Sequence, residues 1–277
     1  MTWFQALVLG VVQGLTEYLP VSSSAHLVLV PWWLGWRIDD RLAFPFDVLV
    51  HWGTLVPVLI YFRGDLWEIL RDGWAGLRRG SPLTTSGGRL GGWVLLATLP
   101  AAVLGLPLKH WVEAVFLQPP TVAALLFGTA ALLWAGEGMG RQERGLDRLT
   151  ARDALTIGLA QALSLLPGIS RSGATIAAGL ALGLARPEAA RFSFLMSLPA
   201  LLGAGGVALR DLGVAGFPPE ALEPVLIGFA AAALSGYLAI WSLMRLVRRR
   251  SLRPFALYCG LLGALSLTLF LLRGGQG

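Results

Sequence analysis

Two short polar segments interrupt an otherwise apolar chain, and both carry residue types that could do chemistry. The first, residues 17–27, reads EYLPVSSSAHL and contains a carboxylate, three consecutive hydroxyls and an imidazole. The second, residues 165–175, reads LLPGISRSGAT and places an arginine between two serines. A carboxylate and a histidine are common acid–base groups, whereas hydroxyls and a guanidinium bind phosphate oxygens. Together the two segments predict chemistry on a phosphate-like anion.

Seven side chains in these segments are candidates for binding such an anion. They are Ser22, Ser23, Ser24, Ser170, Arg171, Ser172 and Thr175. An isolated serine in such a place has an alternative role as a helix N-cap. An arginine deep in an apolar region is costly, about 2.5 to 3.5 kcal/mol on a lenient scale, so a binding role is favoured for Arg171.

Glu17 and His26 need a different explanation, because a carboxylate repels the anion that Arg171 attracts. Either acid–base chemistry, or a divalent cation that bridges the carboxylate and a phosphate, resolves this conflict. Asp47 and His51 lie four residues apart, on one face of a predicted helix. They could hold the substrate-contacting residues in place without touching the substrate, or they could form a buried polar pair that packs between helices.

The amino-acid composition indicates whether these segments lie in a water-soluble protein or in a membrane protein. Of 277 residues, 55% are hydrophobic and 14% are charged, and the mean hydropathy is +0.67. Soluble proteins carry about 25% charged residues, so the sequence predicts an all-α polytopic protein with one membrane domain over residues 1–277. The net charge of +6 does not indicate a nucleic-acid partner, because the basic residues lie in short loops.

Six apolar stretches are long enough to cross a bilayer, which takes about 20 residues. They are residues 44–62, 90–108, 119–136, 190–209, 222–244 and 254–272. The charged residues between the first two stretches, 63–89, predict a solvated loop.

Two further apolar regions, 4–36 and 153–184, are broken near the middle by proline and hydroxyl residues. Irregular backbone at membrane depth is tolerated only where it is buried in protein or lines a wet cavity. We therefore predict two re-entrant helix hairpins with their polar tips near the midplane. The alternative is a single kinked span of about 30 residues in each region, which would need a strong tilt.

The two broken regions resemble each other at an offset of 148 residues. The offset aligns Leu7 with Leu155, Gly10 with Gly158, Gln13 with Gln161, Leu15 with Leu163, Ser22 with Ser170 and Ser24 with Ser172. We read this as an internal repeat, 1–136 and 153–272, in which each copy is one re-entrant hairpin plus three spans. An odd number of crossings inverts the second copy, and inverted repeats with broken helices bind their ligands at the midplane.

The distribution of basic residues predicts the orientation. With the six predicted spans, 16 of the 22 Lys and Arg residues fall on one side of the membrane. By the positive-inside rule this side is cytoplasmic, so both termini are external and the first hairpin enters from outside. The helix after each tip begins near Ser22 or Ser170, and its N-terminal N–H groups would face the site as part of an anion trap.

The segments QGLTEYLPVSSSAH and PGISRSGAT resemble the two signature motifs of the undecaprenyl-diphosphate phosphatases, the bacitracin-resistance lipid phosphatases of bacterial membranes. The resemblance also covers FDVLVHWGT at residues 46–54 and FSFLMSLPALLG at residues 192–203. It implies hydrolysis of an undecaprenyl pyrophosphate to the monophosphate carrier and inorganic phosphate, which recycles the lipid for peptidoglycan synthesis. It also implies a bacterial inner membrane location, with a site that opens to the external side.

The resemblance implies specific roles. Glu17 and His26 would be catalytic, Ser23 and its neighbours would bind or attack phosphate, and Arg171 would hold the pyrophosphate. Family activity is associated with Mg²⁺ or Ca²⁺, so we expect a divalent cation near Glu17 and no organic cofactor. The attacking group stays open between Ser23, His26 and water. The oligomeric state also stays open, with a homodimer as one expectation.

Two residues depart from the family pattern. Gln13 stands where members often have a second glutamate, which leaves Glu17 without a second carboxylate for a metal and makes Gln13 a supporting residue. Ala25 stands where a glycine usually precedes the histidine, which predicts that the turn does not need positive φ at this position.

Two other functions remain as alternatives. A transporter or flippase of polyprenyl phosphate would use the same inverted-repeat architecture. A phosphatase of the phosphatidic-acid type is weaker, because SSSAH only faintly resembles its Ser-Gly-His element and its other motifs are missing.

Overall fold

The computed structural model describes residues 1–216 and 218–274 of the chain, and this part folds into α-helices with two short 3-10 turns. The helices are α1 Trp3–Tyr18, α2 Ser23–Leu34, α3 Asp40–Tyr61, α4 Arg63–Arg78, α5 Ser86–Phe116, α6 Pro119–Gly138, α7 Ala151–Leu163, α8 Arg171–Ala181, α9 Arg186–Ala215, α10 Leu222–Leu246 and α11 Arg253–Leu272. The 3-10 turns are Leu146–Arg148 and Pro219–Ala221. The predicted all-α class is therefore confirmed.

Six helices in the described ranges are long and apolar enough to cross a membrane. They cover Arg41–Tyr61, Ser86–Val112, Pro119–Gly138, Arg186–Arg210, Pro219–Leu246 and Arg253–Leu272. Each matches one of the six predicted spans, and no boundary differs by more than four residues. The chain is a multi-pass membrane protein.

Residues 63–89 are not the solvated loop that their charges predict. Most of this segment forms α4, an amphipathic helix that packs against α5. Its apolar residues Trp67, Leu70, Trp74 and Leu77 recur at helical spacing and are all strongly exposed. The prediction failed because it considered the arginines and neglected the apolar stripe between them.

The two broken regions each form a pair of short helices. α1 and α2 have 16 and 12 residues, and α7 and α8 have 13 and 11. At 1.5 Å per residue even α1 spans only about 24 Å, less than the ~30 Å hydrocarbon core. We call α1–α2 the first helix pair and α7–α8 the second helix pair.

The two helix pairs begin in the same way. Thr2 caps α1, and its hydroxyl accepts from the Gln5 N–H while the Gln5 side chain accepts from the Thr2 N–H. Thr150 caps α7 through the same reciprocal bonds with Asp153. Thr2 and Thr150 are separated by the 148 residues of the repeat offset. The two capping boxes therefore occupy equivalent positions.

Each helix pair packs against a long helix from the other half of the chain. α1 lies along α10, and α7 lies along α5. A Cβ atom at Gly10 would lie 2.5 Å from the Gly228 carbonyl oxygen of α10, and one at Gly158 would lie 2.4 Å from the Ala97 carbonyl oxygen of α5. These equivalent glycines let the helix backbones approach closely, as small residues do between membrane helices.

A buried aromatic cluster lies beside the end of α1. Tyr18 is fully buried, its ring meets that of Phe194 edge to face at 5.3 Å, and Phe62 packs on the same ring. The Tyr18 hydroxyl donates to the carbonyl of Thr54 on α3. These contacts fix the last turn of α1, which carries Glu17.

Candidate active site

The breaks of the two helix pairs touch each other. The Ser172 hydroxyl, in the first turn of α8, donates to the Leu19 carbonyl at 3.2 Å. In return, the Gly168 N–H donates to the Ser24 hydroxyl of α2 at 3.3 Å. The residues of the two polar sequence segments therefore form a single polar cluster.

An ion pair between Glu17 and Arg171 lies at the centre of this cluster. Arg171 Nη2 is 3.1 Å from Glu17 Oε1, and the two side chains are 12% and 6% exposed. Arg171 Nη1 also donates to the Ser193 carbonyl of α9 at 3.0 Å. An unpaired charge in these buried surroundings would cost much free energy, so each side chain offsets the cost of burying the other. The ion pair also explains why a carboxylate occurs next to a predicted anion-binding site, since Glu17 is the counterion of Arg171.

The second oxygen of Glu17 accepts two more hydrogen bonds. The Ser23 hydroxyl donates to Glu17 Oε2 at 2.6 Å, and Gln13 Nε2 donates to the same oxygen at 3.1 Å. Gln13 is one helical turn before Glu17 and shares its face of α1. A serine hydroxyl within hydrogen-bond reach of a carboxylate is the arrangement of a nucleophile and its base.

The serines flanking this centre cap their helices. The Ser22 hydroxyl accepts from the Ala25 N–H at 3.4 Å, and the Ser170 hydroxyl accepts from the Gly173 N–H at 3.0 Å. Each capping hydroxyl also meets the serine two residues later, with Ser22–Ser24 at 3.1 Å and Ser170–Ser172 at 3.2 Å. The predicted helix starts are thus confirmed, and the two N-termini have matching hydroxyl pairs.

The turn of the first helix pair places its positive φ at Ser22, where φ is +70°. Such a conformation is uncommon for a residue with a side chain and costs about 1 to 3 kcal/mol. Ala25 lies within α2, so the prediction that position 25 needs no positive φ is confirmed. The Ser22 carbonyl is consequently presented to the ring of His26.

His26 is buried near the cluster but bonded to other partners. Its Nδ1 is 2.7 Å from the Ser22 carbonyl oxygen, and its Nε2 is 2.8 Å from the hydroxyl of Tyr258 on α11. Within the described residues both ring nitrogens are therefore engaged by groups other than Glu17 and Arg171. The structure joins Glu17, Ser23 and Arg171 directly, and it connects His26 to them through the backbone of α2.

Thr175 supports Arg171 from within α8. Its hydroxyl lies 2.8 Å from the Arg171 carbonyl and 2.7 Å from the Ser193 hydroxyl. Ser193 is fully buried and contacts both residues. Sequence reasoning did not single out Ser193, and its only signal was a place inside the family-like segment FSFLMSLPALLG.

Asp47 and His51 lie at the edge of the site. His51 Nδ1 donates to the Asp47 backbone carbonyl at 2.7 Å and is 3.5 Å from the carboxylate. His51 is within Coulombic range of both Glu17 and Arg171. The Asp47 side chain is 49% exposed, so the pair connects the buried ion pair with more open surroundings.

The donor set around Glu17 bears on the expected divalent cation. The described residues contain no group of three or more His, Cys, Asp or Glu side chains that could hold a metal. Gln13 Oε1, however, is a buried oxygen without a hydrogen-bond partner in the described part of the chain. Mg²⁺ is commonly held by one or two carboxylates and the phosphates of the substrate. The residues present fit a cation shared between protein and substrate.

The chain matches the family model described as bacitracin resistance protein BacA over residues 6–265. It belongs to this family. The match includes both polar segments, all six long apolar helices start within it, and it confirms the resemblance carried by the two motifs.

Named relatives of the family are similar over nearly their whole length. The undecaprenyl-diphosphatase of Geobacter sulfurreducens is 47% identical, over 93% of this chain and 94% of that protein. The undecaprenyl-diphosphatase of Thermomicrobium roseum is 45% identical over 93% and 94%, and that of Rubrobacter xylanophilus is 45% identical over 97% and 98%.

Proposed function

We propose that this chain hydrolyses undecaprenyl diphosphate to undecaprenyl phosphate and inorganic phosphate in a bacterial inner membrane. The reaction returns the lipid carrier to peptidoglycan synthesis and confers bacitracin resistance. The observation that carries the proposal is the buried Glu17–Ser23–Arg171 cluster at the contact between the two helix pairs. The near full-length relatives named undecaprenyl-diphosphatase support the substrate.

The geometry favours Ser23 over His26 as the attacking group. Glu17 Oε2 is 2.6 Å from the Ser23 hydroxyl and can take its proton as the oxygen attacks the terminal phosphorus. The bond from this phosphorus to the bridging oxygen breaks, undecaprenyl phosphate leaves, and water then hydrolyses the phosphoserine. His26 lacks such access, since both its nitrogens are engaged.

Arg171 would stabilise the charge on the transferring phosphoryl group, where most phosphoryl-transfer catalysis lies. Its Nε is buried and has no hydrogen-bond partner among the described residues. The guanidinium therefore keeps a donor for a phosphate oxygen while Nη1 stays on the Ser193 carbonyl. The Ser22–Ser24 pair would supply a further donor, whereas Ser170 and Ser172 would shape the site, because the Ser172 hydroxyl already donates to the Leu19 carbonyl.

A divalent cation, Mg²⁺ or Ca²⁺, would be held by Glu17 and Gln13 Oε1 together with phosphate oxygens. It would neutralise part of the pyrophosphate charge. In this arrangement Ser23 would keep its hydrogen bond to Glu17 Oε2.

The proposed function is tested with purified protein in detergent and farnesyl diphosphate as a soluble substrate. We expect release of inorganic phosphate, and none from farnesyl monophosphate, which lacks the anhydride bond. A polyprenyl phosphate transporter is the second candidate, because broken helices in repeated positions are a feature of transporters. Detergent abolishes any gradient, so absence of phosphate release would favour the transporter.

The fold supports two inverted repeats with re-entrant helix pairs, as the sequence predicts. The equivalent capping boxes, the matching serine pairs and the glycine contacts at Gly10 and Gly158 all relate the first half to the second. The first helix of each pair also packs on a long helix from the other half of the chain, α1 on α10 and α7 on α5, and this reciprocal packing supports two related halves. In this architecture the two polar breaks meet near the midplane, at the repeat interface.

The distribution of basic residues predicts where the termini lie. Reporters fused at Met1 and Gly277 are expected to read as external, because 16 of the 22 Lys and Arg residues then face the cytoplasm. A reporter on the loop between α6 and α7, which carries Arg141 and Arg148, is expected to read as cytoplasmic. Cytoplasmic readings at both termini would invert the orientation, and one reading of each kind would exclude inverted repeats.

A further inference from the structure

The last helix reaches the histidine of the site. The Tyr258 hydroxyl on α11 is 2.8 Å from His26 Nε2, although 232 residues separate the two in the chain. The planes of the two rings are 2° from parallel and their centroids are 5.8 Å apart. Because the hydroxyl oxygen is only 2.8 Å from Nε2, closer than two ring faces can stack, the rings lie side by side, and the hydrogen bond is the contact that joins Tyr258 to His26.

The hydrogen bonds of His26 fix the direction of each proton. A backbone carbonyl can only accept, so His26 Nδ1 carries the hydrogen that bonds to the Ser22 carbonyl. In the neutral ring Nε2 is then the bare acceptor, and Tyr258 must donate to it. When Nε2 gains a proton, the same hydroxyl oxygen can accept from it. Tyr258 can thus partner both protonation states of His26 without movement of the ring.

The position of Tyr258 is itself fixed by hydrogen bonds at two other places along α11. The thiol of Cys259, the next residue, is buried and donates to the Pro20 carbonyl in the turn of the first helix pair at 3.8 Å. Near the far end, Arg273 donates to the carbonyls of Trp32 and Trp33 at the end of α2. α11 packs on α6 and is tied to the first helix pair by these hydrogen bonds, so the Tyr258 hydroxyl meets Nε2 in a defined place.

We propose that Tyr258 is the positioning residue for His26 in the hydrolysis, an inference that rests on the proposed function. His26 is 5% exposed, whereas Tyr258 is 44% exposed, so the phenol approaches the buried imidazole from the outer side of α11. The hydroxyl holds Nε2 in one orientation and provides a hydrogen-bond partner when the ring gains or loses a proton. It acts through His26, and among the described residues it makes no hydrogen bond to Glu17 or Arg171.

The test is the variant Tyr258→Phe, which keeps the aromatic ring and removes only the hydroxyl. We expect kcat on farnesyl diphosphate to fall about 10-fold, the lower end of what the loss of a supporting partner costs, with KM nearly unchanged. Tyr237→Phe is the matched control, because Tyr237 also lies on a membrane helix, with its ring against Tyr61. We expect this control to keep wild-type kinetics.

Two measurements separate positioning from a merely structural role. The chain has three histidines, so ¹⁵N labelling of histidine should show a shifted His26 Nε2 signal in Tyr258→Phe and unchanged signals from the other two. In a His26→Gln background, Tyr258→Phe should cost nothing further, because coupled residues are not additive.

An unshifted His26 signal, an unchanged kcat, or an equal loss in both backgrounds would overturn the proposal. If the wild-type protein releases no phosphate from any prenyl diphosphate, the proposed function fails instead. The ¹⁵N measurement would still decide whether Tyr258 holds His26, since it needs no turnover.

Discussion

Replacement of Glu17 by glutamine is expected to lower kcat by about 10² or more, as loss of a general base does. The amide has nearly the same shape and can still accept from Arg171 through its oxygen, but it cannot take the proton of the Ser23 hydroxyl. The measurement is phosphate release from farnesyl diphosphate by the purified variant. The protein should still insert, because a neutral side chain costs less in the membrane than a charged one.

Glu220→Gln is a matched control for this variant. Glu220 is an exposed residue of the 3-10 turn Pro219–Ala221, which packs against α3 and α10, and the same chemical change there should leave kcat unaltered. Wild-type phosphate release by Glu17→Gln would remove Glu17 from the mechanism and, with it, the activation of Ser23.

Replacement of Arg171 by lysine is expected to reduce kcat by about 10², the usual loss when one charge-stabilising donor is removed. Arg171 bonds at once to the Ser193 carbonyl through Nη1 and to Glu17 through Nη2. A single ammonium cannot keep both contacts and also offer two parallel donors to phosphate. Because the lost interaction belongs to the transition state, KM should change less than kcat.

The steady-state constants distinguish two roles of Arg171. A raised KM with nearly intact kcat would mean that it only anchors the pyrophosphate in the ground state. No change in either constant would place the guanidinium outside the site. Arg210→Lys, on the exposed part of α9, is the corresponding control and should behave as wild type.

Local signals made the helix breaks and their polar residues predictable. In both regions a proline is followed within five residues by serines that can cap a new helix, so the starts of α2 and α8 follow from the sequence within one residue. Ser22 and Ser170 could equally be read as caps or as ligands, and the structure shows that they cap. The ion pair of Glu17 with Arg171 was not predicted, because the sequence does not show whether two charged side chains so far apart in the chain are in contact.

Tyr258 and Ser193 could not be found from the sequence. Both lie inside long apolar helices, where hydropathy reports the depth of a residue but not its neighbours. The contact of Tyr258 with His26 depends on how α2 and α11 each pack on α6, and that of Ser193 with Arg171 depends on how α9 packs on α8. Such contacts are set by packing between distant segments and leave no local pattern.

The packing of α1 against α10 imposes an order on biogenesis. α1 ends at Tyr18 and α10 begins at Leu222, so about 200 residues must be synthesised before this helix meets its neighbour. Glu17 likewise cannot form its ion pair until Arg171 has been synthesised, and before that its carboxylate lacks this counterion in the bilayer. Contacts this remote in sequence form late and slowly. α1 therefore leaves the ribosome well before α10 but reaches its native surroundings only after α10 has been made.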